Sequence, residues 1–421
     1  MACGGRRPLA AAPPTLLVSA AMRTRENKAT RSEIGLTAAF TAYFALTALL
    51  VTFMPVVTPA LQDGFGLSAS QIGLLTSVYL LGYALVEFPA GFAGLHWGGR
   101  VFAFSGALLV LGSLVFALGT SLPMFAAGRA IQGLGAGMVI VTGSPVLARG
   151  IRPHRLTWSW GIAGAGWGVG TIAGLVILPA VADAGGFRAV CLAVAGFSLA
   201  CTIAVLVPKA VRARPAHGEE IKVRSYAQDV RGVTTHREVA LLGLFNATNL
   251  AATVVVIVWT PVFLTEMRGA SVAIGALVTA GLGLSQIAAN PAGAWADAHL
   301  GRRRVIYWSQ ILLAASTLAI PLVPGIAPVL IVVLLNGFFD MTYFPSIFAA
   351  VPTVVKLRLV GIAAAWVSIV GMLSSVVFPW LFGALLDAGL GYVAGYGALA
   401  AFILVGAAGV RFFTWSKPKP D

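Results

Sequence analysis

The chain has 421 residues, 58% of them hydrophobic and only 10% charged, with a mean hydropathy of +0.91. A water-soluble domain carries roughly a quarter charged residues, so this composition excludes an ordinary cytosolic enzyme, a nucleic-acid module and a disordered chain. The formal charge of +14 reads as a topology signal rather than a polyanion-binding face, and Cys3, Cys191 and Cys201 make no disulfide framework.

In chain order, residues 1–33 read as a cytoplasmic N-terminal tail. Arg6 and Arg7 before residues 9–12 look like a signal peptide, but Pro13 and Pro14 break the apolar region. Twelve apolar stretches of about 20–25 residues follow, the length a helix needs to cross hydrocarbon. They fall near 34–58, 70–94, 99–119, 122–148, 156–180, 188–208, 239–264, 272–294, 303–323, 327–350, 358–386 and 390–413. None alternates with period two, so a membrane β-barrel is excluded. The predicted fold is an all-α membrane protein of twelve transmembrane helices in two six-helix bundles, 34–208 and 239–414. Between them lies a cytoplasmic linker, 209–238, read as solvated with a short surface helix. Residues 415–421 form a cytoplasmic tail.

Charge supports this count. With the N-terminus inside, 25 of the 28 Lys and Arg fall on cytoplasmic segments. Only Arg188 and Arg268 fall outside, and Arg129 is left within a span. A miscounted span would scramble that asymmetry. The two bundles also read as copies. Asp183-Ala184-Gly185 after span five matches Asp387-Ala388-Gly389 after span eleven, 204 residues later. Residues 91–100 after span two match 293–304 after span eight, and Trp167 and Trp366 sit comparably in spans five and eleven. Parallel repeats of this kind place a solute site between the halves near the midplane.

Ionisable groups inside spans are costly, at least ~2.5–3.5 kcal/mol each even on permissive scales. There are three: Glu87, Arg129 and Asp340. Asp340 lies near the midplane of span ten with Asn336 one turn earlier. Low dielectric disfavours its anion, which suits it to carry a proton or pair with a cationic solute; a protonated structural Asp is the alternative. Glu87 precedes Pro89 in the inner third of span two, as a proton site or a gate-side hydrogen bond. Arg129, which no working pH neutralises, needs carbonyls, Gln132, water or an anionic solute. Asn246 and Asn249 in span seven and Gln286 and Asn290 in span eight bind a polar solute or tie helices together. Tyr43, Trp160, Trp167 and Trp366 line a cavity or pack. No Walker A, HExxH or paired-Cys spacing appears, so no cofactor and no metal are expected.

Several motifs together resemble the major facilitator superfamily, over residues 34–415. Asp63 with residues 67–73 resembles the family's approach to its second span. Gly293-Ala294-Trp295-Ala296-Asp297 followed by Gly301-Arg302-Arg303-Arg304 resembles its acidic–glycine–basic loop. Residues 129–137 resemble its fourth-span motif, and Gly166, Gly170 and Gly174 the glycine motif of its exporters. Four departures stand out. In the first-half loop Gly91, Gly98 and Arg100 fit, but Leu95 replaces an Asp and His96 an Arg. In span five Thr171 replaces the exporters' Pro and Leu175 their second Gly. Residues 358–387 resemble the organic-anion and cyanate-type uptake branches.

What the resemblance implies is a twelve-helix secondary transporter working by alternating access, in a bacterial cytoplasmic membrane with both termini cytoplasmic. It is not an enzyme; its partners are a small solute, protons and membrane lipids, not nucleic acid, and it acts as a monomer. Solute binds between spans 1, 4, 7 and 10. The fourth-span Arg129 belongs to the substrate or proton pathway, and the loops with Gly91, Gly98, Arg100, Asp297, Gly301, Arg302 and Arg303 gate it. Import of a small organic anion or metabolite is preferred; drug export by proton antiport is the alternative, and a non-transporting membrane sensor or assembly factor the alternative of another class.

Overall fold

The computed structural model of the protein describes residues 30–67, 69–206 and 223–414. The predicted tails therefore lie outside it, apart from residues 30–33, as do residues 207–222, the end of the predicted first bundle and the first part of the predicted linker. Every described element is helical. They are α1 (Arg31–Phe65), α2 (Ala69–Trp97), α3 (Gly99–Ala117), α4 (Leu122–Gly150), α5 (Pro153–Ile172), a π-helical turn (Ala173–Ile177) and α6 (Leu178–Leu206). Then come α7 (Val223–Thr234), α8 (Arg237–Arg268), α9 (Val272–Leu300), α10 (Arg302–Leu322), α11 (Ile326–Thr342), α12 (Phe344–Val354), α13 (Val360–Asp387) and α14 (Gly391–Gly409). Among the described residues ten segments are long and apolar enough to cross a membrane. The two predicted stretches outside that set, in α5 and α9, are helical too.

Local chemistry sets the ends. Thr30 caps α1, accepting from the Glu33 amide while the Glu33 carboxylate accepts from the Thr30 amide. That carboxylate also receives the Arg152 side chain at 3.0 Å, tying the start of α1 to the segment after α4. Glycines with positive φ terminate helices at matching places: Gly66 and Gly269, Gly98 and Gly301, Gly186 and Gly389, each pair 203 residues apart. A side chain with Cβ is strained in that conformation, so these turns cannot move along the sequence.

Two predicted spans differ from expectation. The stretch near 156–180 continues through the π turn into α6, whose helical path breaks at a kink at Gly186, where φ is +68°. The stretch near 327–350 is not one helix but two, α11 and α12, broken at Tyr343. Pro345 has no amide hydrogen for the Met341 carbonyl, so the α-helical ladder cannot continue there.

Helices α1 to α6 pack mainly on one another, as do α8 to α14; the two sets meet where α5 lies along α9 and α12, and α13 along α2 and α4. Helix α5 approaches closely on two faces. On one, Gly166 and Gly170 lie against the backbone of α1; on the other, Gly161 and Gly168 lie against the backbone of α9 and Gly164 against the Asn290 side chain. A Cβ added at Gly170 would sit 1.9 Å from the Ala45 carbonyl oxygen, a rigid neighbour. Overpacking of this kind costs ~1–3 kcal/mol. Gly170→Ala is therefore expected to lower the unfolding midpoint in detergent by several degrees. Gly196→Ala is the control, since its Cβ would meet nothing within 4 Å; Ala is the better helix former, so the midpoint should not fall.

Candidate functional site

Asp340 ends the last full turn of α11, three residues before the break, and is wholly buried. It points neither to lipid nor to a charged partner. The Asn249 amide nitrogen donates to its Oδ1 at 2.8 Å and to its backbone carbonyl at 2.6 Å. The Thr253 hydroxyl donates to Oδ2, and Gln286 Nε2 does so at 3.3 Å. Three neutral dipoles from α8 and α9 thus converge on one carboxyl at the end of an interrupted helix. Buried polar groups without such partners cost ~1–3 kcal/mol each, and convergence of this kind fixes the orientation of all four side chains. Thr253 did not stand out in the sequence, although it follows Asn249 by one turn on the same helix face.

The remaining predicted residues divide among separate places. Asn336 turns away from Asp340 and donates to Ser316 at 3.2 Å and Thr317 at 2.9 Å on α10. Asn246 donates to the Val367 carbonyl of α13 at 3.0 Å. Tyr43 packs edge-on against Phe102 of α3, inside the first set of helices. Trp167 is half-buried on α5, and Thr171 donates to its carbonyl. Asn290 donates within its own helix to the Gln286 carbonyl.

Arg129 binds backbone rather than acid. Its guanidinium donates to the carbonyls of Leu50 on α1 at 3.0 Å and Leu75 on α2 at 3.4 Å, and to Gln132 Oε1 at 2.9 Å. It also lies over the Tyr79 ring, 4.2 Å from the centroid. Gln132 passes the chain on to Ser113 of α3 at 3.1 Å. This cation, 1% exposed, knits four helices. No contact joins it to Asp340.

Contacts between the two sets of helices gather toward the arginine-rich end. Glu87 of α2, fully buried, accepts from Ser368 of α13 at 2.6 Å. Trp160 of α5 stacks on Phe348 of α12 with centroids 4.9 Å apart and meets Phe344 edge-on. Asp297 pairs with Arg302 at 3.3 Å and accepts from Ser346 of α12 at 3.0 Å, while Arg302 reaches Thr157 of α5 at 3.3 Å. The loop residues Gly98 and Gly301 make the two tight turns, at φ +57° and +84°. Gly91 lies buried on α2, whereas Arg100 and Arg303 are exposed. Sequence reasoning missed Ser346, Ser368 and Phe348, because ordinary seryl and aromatic residues carry no signal until a partner helix lies opposite.

The architecture, with buried polar residues tying apolar helices together, defines a multi-pass helical membrane protein. The family model for the Major Facilitator Superfamily matches residues 35–290 and 239–421, and the chain belongs to that family. An uncharacterized MFS-type transporter of Mycobacterium tuberculosis strain CDC 1551 / Oshkosh (MT1926) is 36% identical over 140 residues, 32% of this chain and 20% of that one. A probable chloroplastic anion transporter 6 of Arabidopsis thaliana is 28% identical over 127 residues, 28% of this chain and 23% of that one. The chain thus spans only about a fifth to a quarter of the length of these relatives. Among solved structures, the E. coli fucose:proton symporter FucP superposes with TM-score 0.78 at 16% identity, covering 92% of this chain and 100% of its own. The human organic anion transporter MFSD10 superposes with TM-score 0.74 at 15% identity, covering 90% and 99%.

Proposed function

We propose that this protein is a secondary active transporter that moves a small solute by alternating access, with Asp340 as the group that carries a coupling proton or senses the solute. The observation that carries the reading is the convergence of Asn249, Thr253 and Gln286 on a buried carboxyl at the break between α11 and α12. Interrupted helices are where carriers place coupling-ion and solute groups. A lone buried acid with neutral donors and no cation can exchange a proton with little rearrangement of its surroundings, and ionisable groups within spans mark solute and proton pathways.

In this reading the chain crosses the membrane twelve times as two parallel six-helix repeats. The 203-residue offset shared by three pairs of left-handed glycines supports the duplication. The arginine-rich end is cytoplasmic by the positive-inside rule, so the contacts of Glu87, Trp160 and Arg302 hold the cytoplasmic side shut. FucP in an outward conformation superposes with TM-score 0.77, in keeping with that arrangement. Coupling to protons is in keeping with FucP and with XylE, a proton:xylose symporter. A small organic anion is preferred on the names of the Arabidopsis relative and of MFSD10; Arg129, held by carbonyls, acts as a packing anchor that shapes the outer cavity's field. Drug export is the second reading, favoured by Gly166 and Gly170 lying on α1 as a glycine motif would place them.

The test is a stability screen of the purified protein against small carboxylates, sugars and lipophilic cations. A solute that binds the folded form raises its unfolding midpoint. Hits are then followed as flux into proteoliposomes with and without a pH gradient. Stabilisation and gradient-driven flux of a small carboxylate are expected; stabilisation by lipophilic cations alone transfers the assignment to export. A protein that neither binds nor moves any class of solute is not a carrier.

A further inference from the structure

The linker helix α7 is not solvated on all sides. Tyr226, Val230 and Val233, spaced along one face, are buried or partly buried against the bundle. The Tyr226 hydroxyl donates to the Phe88 carbonyl of α2 at 2.5 Å, and its ring meets Phe92 edge-on with centroids 4.9 Å apart. A Cβ on Gly91 would lie 2.9 Å from the Tyr226 hydroxyl, so glycine is what lets the ring seat there. Burial raises the pKa of this hydroxyl, which stays a donor at neutral pH. One turn on, the Asp229 carboxylate takes both terminal nitrogens of Arg358 at 3.1 Å. Arg358 lies in the short turn that leads into α13. Helix α7 thus grips α2 with one residue and the start of α13 with another, across the seam where Gly361 closes on Val141 and Pro145 of α4.

The two seams explain why a strap is needed at this one. On the α5–α9–α12 side the loop acid Asp297 binds Arg302 and Ser346 directly. The matching loop on the α2–α13 side, residues 91–100, holds no Asp or Glu. Its His96 bonds its own helix at the Phe92 carbonyl. The acid opposite α13 comes instead from the linker.

We infer that α7 is a strap that latches the cytoplasmic side of the α2–α13 seam, Asp229 supplying the acid that the first-half loop lacks and Tyr226 anchoring the strap to α2. The inference rests on the alternating-access reading. Opening toward the arginine-rich side separates α13 from α2, and it must break the Tyr226 bond, the Asp229–Arg358 pair, or both. A bidentate Arg–carboxylate pair is the geometry in which an exposed ion pair still holds position.

The experiment uses the full chain with Cys3, Cys191 and Cys201 changed to Ser and a reporter Thr142→Cys. Thr142 is 2% exposed and faces Gly94 in the cleft that Gly361 closes. Labelling of the reporter by a membrane-impermeant maleimide is followed in inside-out vesicles, with no solute present. Tyr226→Phe and Asp229→Arg are each expected to label about three- to tenfold faster than the parent, the scale of one lost hydrogen bond for Tyr226 and, for Asp229, of an ion pair replaced by repulsion between two arginines. Arg358→Asp should do the same, and the swap Asp229→Arg/Arg358→Asp should return the rate to within about twofold of the parent. Unchanged rates in all single variants, or a swap no slower than its singles, overturn the strap. Because the readout needs no solute, a failed flux assay beside a working swap would remove the transport reading and leave the strap.

Discussion

Asp340→Asn is expected to abolish gradient-driven uptake of any solute found by the stability screen, a loss of about tenfold or more, while the protein still folds. The size follows from the site. Asn cannot carry the proton, and its amide nitrogen would face either Asn249 or the Thr253–Gln286 pair, all of which donate to the carboxylate. Each donor left without an acceptor costs ~1–3 kcal/mol, and 1.4 kcal/mol is tenfold in an equilibrium. Thr253 and Gln286 have rotamers that can relieve part of this, so the unfolding midpoint should fall only a few degrees. Solute exchange at equal pH on both sides tells the roles apart. It survives if Asp340 carries only the proton and is lost if Asp340 also holds the solute. Full gradient-driven uptake by the variant would remove Asp340 from the mechanism.

Trp160→Ala is expected to shift the protein toward the state open at its arginine-rich end. Trp160 is 1% exposed. Its contacts divide into two groups: Phe40 and Phe44 in the same set of helices, and Phe348 and Phe344 across the seam. Truncating a buried Trp costs ~3–5 kcal/mol in all, but most of that is lost equally in both states. Only the cross-seam part biases the equilibrium. Aromatic pairs contribute ~0.5–1.5 kcal/mol beyond their area, so a bias of about 1–2 kcal/mol, or five- to thirtyfold, is the expected scale. Spin labels at His154 of α5 and Arg304 of α10, which lie on opposite sides of the seam at that end, should report a longer distance population in the variant. A distance distribution identical to that of the parent would show that the aromatic stack does not hold the gate.

Much of this molecule was legible from its residues alone. Backbone amides cannot be left unpaired in hydrocarbon, so runs of about 20 apolar residues had to be helices. The arginine asymmetry and the spacing of Asp-Ala-Gly after spans five and eleven were the grounds for expecting twelve of them in two halves. Asp340, Glu87 and Arg129 stood out because an ion in such a run is expensive wherever it points. Helix composition is a property of each segment by itself, and a sequence reports it directly.

What those ions touch is a property of pairs, and only the tertiary structure decided it. Arg129 turned to the carbonyls of Leu50 and Leu75, Asn336 to α10 rather than to Asp340, and Glu87 to a serine 281 residues away. The linker helix, whose polar residues read as a solvated face, seats Tyr226 against a glycine of α2 and pairs Asp229 with Arg358. Lateral position and rotation of one helix against the next are set by close approach of side chains of opposite helices. A hydropathy pattern averages those over a turn and cannot resolve them.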